Sequence, residues 1–385
     1  MNTLITNCRI ISPDLEIENG AIEISSNKII NVYNNCKNLP KCENTFDAKR
    51  KTVMPGFIDI HCHGALGSDV VDGTVEAIEN IAKAKLKEGV TTFCPTTLTV
   101  AEETLINAAH AVENYKKTSK YSKVYGVHLE GPFLNPKCLG AQNPDFLRAP
   151  NIEEVKNLNN ITKIAKVSLA VEVEGGIDFV RSLKPLGIVS SCGHSDANYS
   201  DFAKAKEAGL THLTHFCNQM KPLHHREIGL VGAGLYDQDV LIEIICDTIH
   251  LCPDMLNLIF KLKNINKIMM ITDSISASWL PDGDYKLGGL DVKVHDNIAR
   301  LSSNGALAGS ALKYFIGVKN IANLINMPLK EIVKTTSLNQ ALSFGIKNLG
   351  KIEKGYIADL VVLDTKYVPE TAFVDGKKHD LTSIK

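Results

Sequence analysis

Short apolar runs alternate with amphipathic stretches through the middle of the chain. Eight runs have the length of strands: FIDIHCH, TTFCPTTL, KVYGVHLEG, KVSLAVEV, IVSSCGHSD, THLTHFCN, LIEIICDTIH and KIMMITDSI. Between most of them lie segments such as VEAIENIAKAKLKEG, with apolar residues at helical spacing and a glycine near the end. This alternation predicts a (β/α)8 barrel of the TIM type. A doubly wound sheet would need a glycine-rich turn after its first strand, and HCHGALGSD does not fit that pattern.

The two ends of the chain differ from the middle in their pattern of residues. Residues 3–34 alternate short β-like pieces with the turn-forming SPD and ENG, and GYIADLVVLD and TAFVDGKKH repeat this near the C-terminus. We therefore predict a small β-sandwich domain formed by residues 1–53 and 346–385, beside a catalytic barrel of residues 54–345. The segment SASWLPDGDYKLGGLDVKVHDNIARLSSNG after the eighth run carries turn signals and predicts an inserted hairpin.

Composition excludes some classes of function. The 385 residues are 44% hydrophobic with a net charge of -1, which argues against a broad surface for nucleic acid or anionic lipid. A small anionic ligand is not excluded, because its pocket needs only one or two basic groups. The N-terminus lacks a secretory pattern, and no run reaches the roughly 18 apolar residues of a membrane helix. With ten scattered cysteines and no CxxC, we expect a cytoplasmic protein with reduced thiols.

Polar residues stand where the predicted strands end, which is where barrel enzymes place their catalytic groups. These residues are His61, His63, His128, Glu130, His194, His215, Asp247, His250 and Asp273. Each alone has a structural interpretation, as a hydrogen-bonded histidine or as an aspartate that caps a helix. Together they converge on one barrel mouth, and imidazole with carboxylate is a ligand set for a first-row divalent ion. The pattern therefore predicts a metal site.

Such a site favours hydrolysis. A divalent ion activates water and polarises a carbonyl, and Asp273 could carry a proton from that water to a leaving group. Amide hydrolysis needs this delivery, because an amine leaves poorly unless it is protonated. No GxSxG elbow or P-loop offers a rival mechanism. A predicted loop carries His224, His225 and Arg226. Two interpretations of these residues are equally supported: they are ordinary surface residues, or the guanidinium binds a phosphate.

Several motifs together resemble the N-acetylglucosamine-6-phosphate deacetylases of the amidohydrolase superfamily. They are PGFIDIHCHG, HLEGPFLNP, GHSDA, THFCNQM, HHREIGL, ITDSI and LPDGDYKLGG. HxH and the terminal TD mark only the superfamily, whereas HLEGPF, the THFCNQM…HHRE block and LPDGDYKLGG are more specific. The similarity extends over nearly the whole chain, because KGYIADLVVLD resembles the closing β-segment of the superfamily.

The resemblance implies a metal-dependent enzyme that removes acetate from N-acetylglucosamine 6-phosphate, in amino-sugar catabolism or cell-wall recycling. By position, Glu130, His194 and His215 resemble the primary metal ligands. His61 and His63 resemble a second metal position, so one or two divalent ions are expected per subunit. Zinc or iron is the first expectation, and manganese or cobalt an alternative. Asp273 resembles the acid/base that activates water and protonates the amine.

The resemblance also implies substrate contacts, at Gln142, Asn218, Gln219, His225, Arg226 and His250. Arg226 resembles an arginine that binds phosphate in the neighbouring subunit, which predicts a homodimer. Gln142 stands where many relatives carry histidine and Gln219 where a small residue is common, which leaves the sugar epimer open. The alternatives are an N-acetylgalactosamine-6-phosphate deacetylase, another amidohydrolase such as a cyclic-amidase or aminoacylase relative, and a non-catalytic amidohydrolase-like scaffold.

Overall fold

The first five strands form one side of a mixed sheet, in a computed structural model that describes residues 2–384. They are β1 (Asn2–Ser12), β2 (Leu15–Ser25), β3 (Lys28–Tyr33), β4 (Asn44–Asp47) and β5 (Thr52–Pro55). β1 pairs antiparallel with β2 and parallel with both β4 and β5. Register shifts between Ile5 and Ile10 interrupt its pairing with β2. Such bulges bend a strand, and the two halves of β1 accordingly have different parallel partners.

The middle of the chain carries the strands predicted from the eight apolar runs, together with three short ones. In order they are β6 (Phe57–Cys62), β7 (Gly64–Ala65), β8 (Ser68–Asp69), β9 (Val90–Pro95), β10 (Lys123–Val124), β11 (Val127–Glu130), β12 (Ile164–Leu169), β13 (Val189–Cys192), β14 (His212–Leu213), β15 (Leu241–Ile245) and β16 (Ile268–Ile271). β11 to β16 form a parallel sheet in chain order, and β6, β9 and β10 form a second parallel sheet. Isolated parallel bridges join the two sheets at both edges, between Cys62 and Ser274 and between Thr96 and His128.

Helices separate these strands. They are α1 (Val75–Lys87), α2 (Glu102–Thr118), α3 (Ile152–Ile161), α4 (Gly176–Leu183), α5 (Tyr199–Ala208), α6 (Gly229–Tyr236), α7 (Pro253–Leu262), α8 (Tyr314–Leu324), α9 (Leu329–Val333) and α10 (Asn339–Ser343). Each parallel strand from β6 to β15, except the two-residue β10, is followed by one of α1 to α7 before the next parallel strand begins. Side-chain caps begin several of them: the Thr74 hydroxyl accepts a hydrogen bond from the Ala77 amide at α1. Thus a polar strand end is followed each time by a helix that returns the chain.

After β16 the chain forms the insertion that its turn signals predict. β17 (Gly283–Leu287) and β18 (Leu290–His295) make a hairpin, and β19 (Ile298–Leu301) extends it to a three-stranded antiparallel sheet. The insertion leads into α8, and part of it lines the cavity of the candidate site.

The last strands rejoin the first sheet. β20 (Leu360–Leu363), β21 (Pro369–Val374) and β22 (Lys377–Asp380) follow α10, and β20 pairs antiparallel with β5. The eight-stranded sheet runs β22-β21-β20-β5-β1-β2-β3, with β4 beside β1. Apolar residues from both ends, including Ile5, Ile22 and Phe373, form a core of their own. Strands from both ends of the chain therefore share one sheet, while a separate two-layer sandwich domain stays a prediction. Within residues 2–384, no helix has the length and apolar character that crossing a membrane requires.

Candidate active site

The predicted metal ligands lie at or just beyond the carboxyl ends of the parallel strands. His61 lies in β6 and His63 directly follows it, Glu130 ends β11, and His194 and His215 closely follow β13 and β14. Asp273, the predicted proton carrier, closely follows β16. All six side chains are buried. Their positions on different strands explain why residues so distant in sequence come to one point, since the carboxyl ends of neighbouring parallel strands share one edge.

These side chains form two groups of potential metal ligands, His61 with His63 and Asp273, and Glu130 with His194 and His215. Glu130 stands between the groups. Its Oε1 lies 3.1 Å from His215 Nε2 and 3.3 Å from His61 Nε2, while its Oε2 lies 3.2 Å from His63 Nε2. Asp273 Oδ1 lies 3.3 Å and 3.2 Å from the Nε2 atoms of His61 and His63. The geometry suits two neighbouring cations with Glu130 shared.

The imidazole nitrogens show why a cation fits. His63 Nδ1 lies 3.2 Å from the Thr96 carbonyl oxygen and His194 Nδ1 lies 2.8 Å from the Cys138 carbonyl oxygen. A carbonyl only accepts, so each Nδ1 carries a proton and Nε2 is the nitrogen that is available to bind a cation at the site. Nε2 atoms face one another at 3.0 Å between His194 and His215. A metal ion between such lone pairs satisfies them all, which is the ordinary use of this donor set.

The electrostatics of the cluster also favour positive charge. Burial by itself lowers the pKa of His61, but Glu130 and Asp273 outweigh it and raise that pKa to about 9. The pKa of His63 is likewise raised well above its ordinary value against the effect of burial. Burial opposes ionisation of Asp273, yet His61 and His63 lower its pKa to about 2. Burial also opposes ionisation of Glu130, but His61, His194 and His215 hold its pKa well below its usual range. The cluster therefore attracts cations.

A cavity of about 290 Å³ opens in front of the cluster. Its lining includes His63, Glu130, Gln142, His194, His215, Asn218, Gln219, His250, Asp273 and, from the insertion and the loop after it, Leu287, Ala306 and Leu307. Gln142 Nε2 donates to Glu130 Oε2 at 2.6 Å, and Gln142 Oε1 accepts from the Thr99 amide at 2.8 Å. Gln142 thus both lines the cavity and holds the carboxylate that joins the two ligand groups.

His250 is the basic group at the other side of the cavity. Its Nδ1 lies 2.6 Å from Asp247 Oδ2, and its amide donates to Asp247 Oδ1 at 2.9 Å. Burial lowers the pKa of His250, and the Asp247 carboxylate outweighs it, so the pKa is raised. The sequence predicts Asp247 at a strand end but indicates no role for it. The structure shows that it orients His250.

Two predicted substrate contacts lie elsewhere. His225 and Arg226 are exposed on the loop between β14 and α6, where Arg226 Nη1 lies 2.8 Å from His225 Nε2. Neither residue lines the cavity. Within one chain, then, the structure does not bring this guanidinium to the site.

A buried ion pair that was not predicted from the sequence lies beneath the ligands. Lys166 of β12 and Glu243 of β15 are fully buried and paired with each other. Burial raises the pKa of Glu243, but Lys166 and His61 outweigh it and lower the pKa to about 2. Glu243 Oε2 lies 3.5 Å from His61 Nδ1. The available signal was a charged residue inside each of two apolar runs, KVSLAVEV and LIEIICDTIH.

The fold and this ligand cluster define a metal-dependent hydrolase. The chain belongs to the amidohydrolase family, whose family model matches residues 52–382.

Its similarities are more specific than the family. The chain is 37% identical over 317 residues to an N-acetylglucosamine-6-phosphate deacetylase of Lysinibacillus sphaericus, covering 82% of each protein. It is 34% identical over 329 residues to an N-acetylgalactosamine-6-phosphate deacetylase of Escherichia coli O157:H7, covering 84% of this chain and 87% of that protein. The crystal structure of an N-acetylglucosamine-6-phosphate deacetylase from Thermotoga maritima matches with a TM-score of 0.88 and 35% identity, covering 97% and 99%. The resemblance to amino-sugar phosphate deacetylases is confirmed.

Proposed function

We propose that this protein hydrolyses the acetamide of N-acetylglucosamine 6-phosphate to glucosamine 6-phosphate and acetate. The observation that carries the proposal is the pair of buried ligand groups around Glu130, facing a cavity that Asp273 also lines. Relatives at 34–37% identity are named as deacetylases of amino-sugar phosphates. We further infer that the two bridged parallel sheets form one closed barrel domain over 54–345, and that 1–53 and 346–385 form a separate β-sandwich domain.

Two ion positions are proposed. Glu130, His194 and His215 would hold one ion, and His61 and His63, beside Asp273, would hold the second. When bound, a divalent ion supplies an activated water molecule and polarises the acetamide carbonyl. Zinc and iron suit this mixture of imidazole and carboxylate, and manganese and cobalt are accepted by the same donors, so availability also decides.

Asp273 is the proposed proton carrier. With a pKa lowered to about 2 it starts as a carboxylate at neutral pH, so it can accept the proton of the attacking water. The water oxygen then bonds to the carbonyl carbon, and the bond from that carbon to nitrogen breaks. Asp273 returns the proton to the nitrogen, which leaves as an amine. The sugar would be held by Asn218, Gln219 and His250, whose polar groups line the same cavity.

The phosphate is assigned to Arg226 of a second chain, assisted by His225. The guanidinium is exposed and does not line the cavity of its own chain, which suits a role in trans. Large apolar side chains are exposed near this loop, with Leu223 56% and Tyr236 72% accessible. Such exposure marks a surface that a partner covers. We therefore propose a homodimer.

The galactosamine epimer is the second candidate. The relative from Escherichia coli O157:H7 carries that name, and Gln142 and Gln219 lie in the cavity where a sugar hydroxyl would be read. A non-catalytic scaffold is disfavoured, because the two complete ligand groups and Asp273 are all present.

The first experiment measures kcat/KM for acetate release by zinc-loaded protein. The substrates are N-acetylglucosamine 6-phosphate, its galactosamine epimer and unphosphorylated N-acetylglucosamine. We expect the first to be preferred over the epimer and to exceed the unphosphorylated sugar by at least about 10²-fold, because an arginine–phosphate contact is strong and is lost without the phosphate. A preference for the epimer would keep the mechanism and change the substrate. No turnover of any of the three would contradict the proposed activity.

A further inference from the structure

We propose that Glu243 is a positioning residue for His61, which fixes the imidazole tautomer and so decides whether the His61, His63 and Asp273 group can hold an ion. The inference rests on the proposed metal centre and deepens it. His61 Nδ1 and Glu243 Oε2 are both buried atoms without a hydrogen-bond partner, and they lie 3.5 Å apart. A small rotation of the ring brings them into a hydrogen bond, and this would satisfy both atoms.

Lys166 limits what Glu243 can do. Its ammonium pairs with Glu243 Oε1, so only Oε2 is left to face His61. The three side chains come from β12, β15 and β6 and are fully buried. A carboxylate can only accept, so His61 must carry its proton on Nδ1, and Nε2 is then free to bind a metal.

His61 differs here from two other ligands. The Nδ1 atoms of His63 and His194 lie against backbone carbonyl oxygens, which no substitution removes. The acceptor proposed for His61 Nδ1 is instead a side chain, Glu243. A change at position 243 should therefore affect the ion at the His61 group and spare the ion at Glu130, His194 and His215.

Glu243→Gln gives the sharpest test because it keeps the shape. The Lys166 ammonium has only donors, so the amide oxygen must face it and the amide NH2 must face His61 Nδ1. His61 is then driven to accept at Nδ1 and to carry its proton on Nε2, where it cannot bind metal. Titration with zinc, followed by metal analysis after gel filtration, should give two ions per chain for the wild type and one for the variant. The second dissociation constant should rise by about 10- to 100-fold.

Glu88→Gln is the matched control. It alters another fully buried carboxylate paired with a buried lysine, Lys85, that is not in contact with a predicted ligand. We expect it to retain two zinc ions. In the zinc-loaded wild type, ¹⁵N NMR of labelled histidines should also show a proton on His61 Nδ1, identified by its loss in His61→Asn. This measurement stands even if Glu243→Gln does not fold.

The outcomes separate the two proposals. Two equally tight zinc ions in Glu243→Gln, a wild type that binds a single ion, or an unprotonated His61 Nδ1 would each overturn the role of Glu243 and leave a deacetylase possible. A wild type that binds no zinc, manganese, cobalt or iron would overturn the proposed metal centre itself.

Discussion

At the scale of single residues, the site depends on unusual backbone conformations. His194, His215 and Asp273 have φ angles of 49°, 29° and 53°, in the left-handed region that side chains with a Cβ rarely adopt. Each such residue costs about 1–3 kcal/mol, and it persists only where its surroundings hold it. At Asp273 the amide donates to the His61 carbonyl at 2.9 Å, and its own carbonyl accepts from Ser310 at 2.8 Å. The backbone thus aims these side chains at one point.

Asp273→Asn tests proton transfer directly. The amide has nearly the shape of the carboxylate but cannot accept the proton of water, so kcat should fall by about 10²- to 10⁴-fold. The ion at Glu130, His194 and His215 should remain, because Asp273 is not in that group. Acetate release and metal content are measured on the same zinc-loaded sample.

The control for this variant is Asp282→Asn, which changes an exposed aspartate in the loop that follows the same strand. Its kcat should stay within about twofold of the wild type. An Asp273→Asn enzyme that retains the wild-type kcat would remove Asp273 from the mechanism.

The sequence allowed prediction of which side chains cluster at the strand ends, but not of what supports them. His61, Glu130 and Asp273 were predictable because the ends of parallel strands meet, which holds for any barrel. Lys166 and Glu243 lie inside their strands, and two mid-strand charges on β12 and β15 do not reveal from sequence that they face each other. Their contact depends on the register of four strands, which is a property of the assembled sheet.

At the scale of elements, β14 shows where a periodic pattern misleads. THLTHFCN predicts a strand of several residues, but only His212–Leu213 pair with the neighbouring strands. His215, Cys217 and Gln219 have positive φ angles, which end extended structure. Because the chain turns here, His215 and Gln219 both reach the cavity. An apolar run therefore predicts the presence of a strand more reliably than its end.

The buried side chain of Lys85 connects α1 with β6 and with the end of β16, and this connection predicts an effect on stability. Lys85 Nζ lies 3.3 Å from Asp59, 3.0 Å from Glu88 and 3.1 Å from the Thr272 hydroxyl, with all of these side chains buried. Lys85→Met would leave two carboxylates buried without their cation. The free energy of unfolding should fall by about 3–5 kcal/mol.

Urea denaturation of the zinc-free protein measures this change, with Lys83→Met as control. Lys83 lies on the same helix, is only partly buried, and should alter the free energy by no more than about 0.5 kcal/mol. Equal effects of the two substitutions would show that the buried pairs do not join these elements energetically.

At the scale of the whole molecule, the two chain ends are tied to each other and to the parallel sheets. β5 pairs with β20 across the length of the sequence, and Lys123 of β10 lies 3.0 Å from the buried carboxylate of Asp359. That both ends form β-structure was visible in their turn-rich texture. The order of the strands was not, because β4 and β5 pair with different halves of β1, on either side of the irregular stretch of β1.

A dimer in which Arg226 serves the neighbouring site predicts complementation between two impaired chains. Arg226→Ala lacks the phosphate contact and Asp273→Asn lacks the proton carrier. In a mixed dimer, the Arg226→Ala chain keeps a complete catalytic cluster and receives Arg226 from its partner. Random exchange makes half of the dimers mixed, each with one complete site, so about a quarter of the wild-type activity should return.

The mixture is formed by joint refolding or coexpression and assayed at substrate concentrations below the wild-type KM, where the phosphate contact matters most. Arg181→Ala, an exposed arginine on α4, replaces Arg226→Ala in the control and reports activity from simple dilution. If Arg226 acts within its own chain, every site in the mixture lacks either Arg226 or Asp273. The mixture is then no more active than the two variants assayed separately. The recovered activity therefore separates a site completed by two chains from one that a single chain completes.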